Sequence, residues 1–160
     1  MGLHFSKEEF ESRKSKTLKS MKEQNIDALL MFKQESMYWL TGYDTFGYVF
    51  FQTLVLDQKG NVVLLTRAPD LRQAQNTSNI KNIKIWIDKE GSDPTDDLKI
   101  ILGELNLKDK KLGIEYDAYG LTGQNTLRLN KSLKDYCSTE DTSNLITKLR
   151  VVKSKEEIVY

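Results

Sequence analysis

Three carboxylates, Asp44, Glu115 and Asp117, fall at expected strand ends, where they could gather around Mg²⁺ as a nuclease requires. The same side chains have a plainer use. Asp44 and Asp117 each follow a Tyr in a turn, where a short acid hydrogen-bonds nearby backbone. A nuclease also needs a basic groove for phosphates. Lys plus Arg number 24 against 23 for Asp plus Glu and no basic stripe stands out, so nucleic acid is not an expected partner.

Other chemistries find fewer residues still. The single imidazole, His4, lies beside the N-terminus and is expected to be mobile and uninvolved, which leaves a His-based triad without its base. Cys137 sits in an apolar strand pattern, the setting of a core thiol rather than a nucleophile. No His/Cys spacing suits zinc. The stretch YGLTGQN at Tyr119 to Asn125 lacks both G-x-G-x-x-G and a Walker Lys, and reads as a turn opening a helix. No catalytic residue and no metal ligand is assigned within the chain.

What must position any site is read from hydropathy. With 160 residues, 39% apolar and 29% charged, the chain has the composition of one globular domain. A net charge of +1 gives no bulk pull toward anionic lipid. The longest apolar run, Ala28 to Phe32, is far short of a membrane span, and no apolar leader is visible. A cytoplasmic location is the expectation, and a lone cysteine fits a reducing compartment.

Strands alternate with helices along the chain. Ser6 and Glu9 form a capping box for a helix reaching about Gln24, with Phe10, Thr17, Leu18 and Met21 on one face. Ala28 to Phe32 reads as a strand covered on both faces. After a helical turn, a strand over Tyr48 to Leu56 and a return over Val62 to Leu65 flank the turn residues Asp57 to Gly60, which predicts an antiparallel pair. Further strands are predicted over Ile83 to Ile87, Lys111 to Glu115 and Tyr136 to Asp141. Pro69 and Pro94 open helices, the second running to Leu105, and others cover Thr122 to Leu133 and Ser143 to Leu149. The outcome is an α/β, three-layer domain with a mixed central sheet.

Within that framework MYWLTGYDTFGYVFFQ, at 37–52, stands at a strand end, where side chains meet ligands or partners. Alternation over the expected strand puts Tyr48, Phe50 and Gln52 on one face, with Val49 and Phe51 opposite. Tyr43 and Asp44 occupy the turn before it, and Arg67 could reach an anionic substrate or pair with a nearby Asp. At the other end, KSKEEIVY opens a helix in which Ser154 and Glu157 form a capping box. A helix of about six residues is too short to persist alone.

The segments IDALLMF, SMYWLTGYD, VLDQKGNVVLLTRAPD, KLGIEYDAYGLT and LITKLRVVKSKEEI, in that order, resemble the N-terminal domain of the creatinase, prolidase and aminopeptidase P superfamily of pita-bread metallohydrolases. The resemblance implies a ribonuclease H-like motif over 6–150, and makes 151–160 a linker and the first turn of a catalytic domain that the chain lacks. It further implies two divalent ions (Mn, Co or Zn) in that second domain, a homodimer, and a small-molecule or dipeptide substrate. An ungapped alignment from Gly42 to Asp57 puts the family's aromatic and Arg loop positions at Tyr48 and Phe50, so the Arg is replaced. The aromatic segment ending in Gln52 is similar to ectoine hydrolase. The expectation is a non-catalytic domain of a C–N hydrolase that supports dimerisation and closes the substrate pocket through Tyr43, Asp44, Tyr48, Phe50, Gln52 and Arg67. The alternatives are a stand-alone interaction module and a Mg²⁺ nuclease.

Overall fold

The computed structural model describes residues 2–160. Its strands are β1 (Ala28–Met31), β2 (Thr53–Asp57), β3 (Val62–Arg67), β4 (Asn82–Trp86), β5 (Lys111–Ile114) and β6 (Ser138–Asp141). They form one sheet in the order β4-β3-β2-β1-β5-β6. Only β2 runs against the rest: it is antiparallel to β1 and β3, whereas β1 with β5, β3 with β4 and β5 with β6 are parallel. The helices are α1 (Lys7–Glu23), α2 (Gln34–Thr41), α3 (Leu71–Thr77), α4 (Pro94–Glu104), α5 (Gly123–Leu133), α6 (Leu145–Val151) and α7 (Lys155–Val159).

Alternation along β1 divides the core into two layers. Ala28, Leu30 and Phe32 join Leu98, Ile101 and Leu102 of α4 and Leu129 and Leu133 of α5. Leu29 and Met31 point the other way, against Met21 of α1, Met37 and Leu40 of α2 and Ile146 of α6. Both faces of the strand are dry, which is why its sequence is a continuous apolar run. Each such Leu contributes about 1.5–3 kcal/mol through burial.

Two glycines permit close approaches. Gly42 ends α2 with φ 81°, and a Cβ there would stand 2.9 Å from the Thr77 carbonyl. Gly113 in β5 lies beneath Thr142, where a Cβ would come within 2.6 Å of both branches of that side chain.

Two expectations are corrected. The strand predicted from Tyr48 starts at Thr53 instead, because the Phe50 N–H bonds the Gly47 carbonyl at 2.9 Å and folds 47–50 into a turn. Aromatic β-propensity is overridden there by local backbone closure. Tyr48, Phe50 and Gln52 therefore do not share a strand face, and the alternation with Val49 and Phe51 fails. His4 is not uninvolved: its Nδ1 lies 2.6 Å from the Tyr38 hydroxyl and 3.1 Å from that of Tyr160.

Candidate functional site

The loop between α2 and β2 has an inner and an outer layer. Inside, Tyr43 donates its hydroxyl to Gln52 Oε1 at 2.8 Å, Thr66 donates to the same oxygen at 3.3 Å, and Gln52 Nε2 donates to Thr45 Oγ1 at 3.4 Å. All four residues are buried. Burial pushes the Tyr43 phenol above its ordinary pKa, so it stays a donor. Outside, Phe46, Tyr48, Val49 and Phe50 are exposed on the turn that this polar layer supports.

Arg67 and Asp70 brace the same turn. Arg67 Nε donates to Asp70 Oδ2 at 3.1 Å, and its guanidinium lies 3.4 Å from the Phe50 ring centroid. The Asp70 carboxylate is in turn packed on Gly47, where a Cβ would come within 2.6 Å of it. Gly120 plays a similar part across the loop: a Cβ there would approach the Phe50 carbonyl to 2.5 Å and that of Tyr48 to 2.9 Å. That proximity sets Tyr119 edge-on to Tyr48, with ring centroids 6.1 Å apart.

Beside this loop, the ends of β1 and β5 carry a buried acid. Glu115 Oε2 accepts the N–H groups of Phe32 and Lys33 at 3.0 and 2.9 Å, and Oε1 accepts the Ser36 hydroxyl at 2.6 Å. Desolvation raises its pKa to about 7, against the opposing pull of those hydrogen bonds. Lys33 is spent similarly: Nζ reaches Asp117 Oδ1 at 2.8 Å and donates to the Ser143 carbonyl at 2.7 Å. Asp44 is exposed, and its N–H donates to Thr77 Oγ1 at 3.1 Å. Glu115 and Asp117 are thus each engaged by donors, and among the described residues no cluster of three or more His, Cys, Asp or Glu is placed to hold a metal ion.

A third feature is the seat of α7. Ser154 and Glu157 complete their capping box. Glu157 Oε1 also accepts from Trp39 Nε1 at 3.0 Å and lies 3.3 Å from Arg13 Nη2, while Glu156 accepts the Ser6 N–H and hydroxyl at 3.1 and 2.6 Å. Arg13, only 1% exposed, further donates to Glu9 and to the Trp39 carbonyl, both at 2.8 Å. These side chains hold a five-residue helix that would not persist alone.

Of the sequence-derived residues, Tyr43 and Gln52 are interior partners of one another, Phe50 and Arg67 meet on the outer layer, and Tyr48 lies against Tyr119 instead. Asp44 stands apart at the α3 end. Cys137 is half-buried against the core, and burial pushes its thiol up to about 11. Sequence reasoning missed Arg13 as a buried anchor. Its signal was position, three residues after Phe10 and four before Thr17, on the stripe that α1 buries.

Comparison with known proteins adds the following. The family model described as "Creatinase/Prolidase N-terminal domain" matches residues 13–152. A Sinorhizobium fredii protein named as an uncharacterized hydrolase/peptidase is 27% identical over 165 residues, covering 99% of this chain and 42% of its own. The ectoine hydrolase of Halomonas elongata is 28% identical over 167 residues, covering 100% of this chain and 42% of its own. A crystal structure of a dipeptidase from Pyrococcus horikoshii superposes with a TM-score of 0.74 at 23% identity, over 92% of this chain and 38% of that one. The chain spans about two fifths of the length of the curated relatives it matches.

Proposed function

The chain belongs to the creatinase/prolidase N-terminal domain family, and from that premise we propose that it serves as the non-catalytic first domain of a hydrolase of C–N bonds, of the Xaa-Pro dipeptidase or creatinase-like kind. The observation that carries this reading is the loop at 43–52: a polar interior holds Phe46, Tyr48, Val49 and Phe50 outward as a fixed apolar patch. Rigid, exposed aromatic residues are suited to a partner surface or a pocket wall. In this proposal they close the substrate pocket of a second subunit and contribute to a homodimer, with Arg67 beside them.

The two divalent ions implied for the family find no fitting set of ligands among the described residues, so no step of the reaction is assigned to this chain. In the same reading 6–150 is the domain proper, 151–160 leads into its own catalytic domain, and the docked α7 sets the angle at which the two meet. A cytoplasmic setting fits the single Cys; among the described residues no helix is long and apolar enough to cross a membrane.

The test is turnover with the chain joined to a metal-binding domain of this family. Tyr48→Ala and Phe50→Ala should each lower kcat/KM at least about tenfold, the loss of one well-placed contact of about 1.4 kcal/mol, without change in melting temperature. Unaltered kinetics in both variants would exclude the loop's role.

A further inference from the structure

Strand order places a crevice that shares only the Tyr48 and Val49 edge of the loop and is otherwise built from residues the loop proposal does not use. β1 leads through α2 to β2 on one side, whereas β5 leads through α5 to β6 on the other, so the chain reverses its winding between these two adjacent parallel strands. In open α/β sheets, the space beyond the carboxyl ends of strands at such a reversal is where ligands bind. Here it holds a cavity of about 540 Å³, lined by residues that follow β1 (Phe32, Lys33, Glu35) and β5 (Asp117, Tyr119) and by Tyr48. The size suits a metabolite.

Its charge and its walls favour one sign of ligand. Glu35 is exposed on the first turn of α2 and has no ion-pair partner among the described residues. Asp117 pairs with Lys33, whose ammonium is also drawn to the Ser143 carbonyl. The lining therefore carries one carboxylate in excess. Tyr48 and Tyr119 meet edge to face with interplanar angle 71°, leaving a ring face open, and Gly120 fixes the two loops close enough for them to do so. An uncompensated acid beside an aromatic face is the arrangement that attracts an organic cation.

We infer that the crevice between the carboxyl ends of β1 and β5 binds a small organic cation bearing an ammonium or amidinium group. Every residue involved belongs to this chain, so the inference does not depend on a second domain.

The probes are choline, methylguanidinium and dimethylbutanol, the uncharged carbon isostere of choline, titrated into the 160-residue chain while backbone amide shifts are followed. At least one cation should move the amides of 33–35 and 117–120 saturably below about 50 mM, where a millimolar site fills, and whichever binds identifies the headgroup. The isostere should not saturate them. Tyr119→Ala and Glu35→Gln, both at exposed positions, should each weaken binding about fivefold with the amide spectrum elsewhere unchanged. Absence of saturation with both cations, equal binding of the isostere, or unaltered affinity in both variants would overturn the assignment.

Discussion

Tyr43 Oη lies 2.8 Å from Gln52 Oε1, and neither side chain reaches solvent. Two residues whose types suggested ligand contact instead satisfy each other beneath the loop. Gln52→Ala would leave the Tyr43 and Thr66 hydroxyls without their shared acceptor, at about 1–3 kcal/mol for a buried unsatisfied group. Urea unfolding should show a loss in that range. Tyr43→Phe, which leaves Gln52 its Thr66 partner, should cost less.

Glu115 gives a pH-dependent prediction. Its pKa is about 7 in the folded chain and that of an ordinary carboxylate, near 4.5, when unfolded. Between these values the folded state holds the proton and the unfolded state does not, so this group's contribution is full below 4.5 and is lost as pH rises through 7. Glu115→Gln should flatten the wild-type decline of unfolding free energy across that window. Its amide oxygen can still accept the N–H groups of Phe32 and Lys33. Parallel pH profiles of the two proteins would contradict the burial account.

Gly113→Ala should destabilise by about 1–3 kcal/mol, the usual cost of overpacking. Its Cβ would meet Thr142 at 2.6 Å on one side and Leu29 at 2.8 Å on the other. Thermal melting of Gly113→Ala alone and with Thr142→Ser, which removes one of the clashing atoms, should show partial recovery in the double variant.

Arg13→Met breaks the anchor of α7. Removing one partner from a buried ionic cluster costs about 3–5 kcal/mol. Here it leaves Glu9 and Glu157 without their guanidinium and the Trp39 carbonyl without its donor. Amide hydrogen exchange should accelerate over 155–159 well before it does so in β1. Equal protection of α7 in both proteins would mean that Trp39 and Ser6 suffice to hold it.

Fold and site were unequally legible in the sequence. β1 could be read because a strand buried on both faces has no polar alternation to confuse it, and the antiparallel pair followed from turn chemistry at Asp57 to Gly60, where Asp57 Oδ1 accepts the Lys59 and Asn61 N–H groups. The capping box at Ser154 and Glu157 could be read because both partners lie within one turn. At α1 only half of the expected box forms: the Ser6 hydroxyl accepts the Glu9 N–H, but the Ser6 N–H donates to Glu156 and the Glu9 carboxylate is taken by Arg13. The loop could not be read. Phe50 and Phe51 look alike in sequence, yet Gly47 closes a turn that leaves the first exposed and the second in the core. Partnerships such as Arg13 with Glu157 or Glu115 with Ser36 join residues far apart in the chain, which no local pattern announces.

The central claim, that this chain shapes a site without performing the reaction, is tested most directly by hydrolysis assays with Mn²⁺ against an Xaa-Pro dipeptide, creatine and ectoine. The 160-residue chain should show no turnover alone, and turnover should appear once a metal-binding domain of the family is joined to it. Hydrolysis by the purified 160-residue chain itself, retained after chromatography to constant specific activity, would contradict the account.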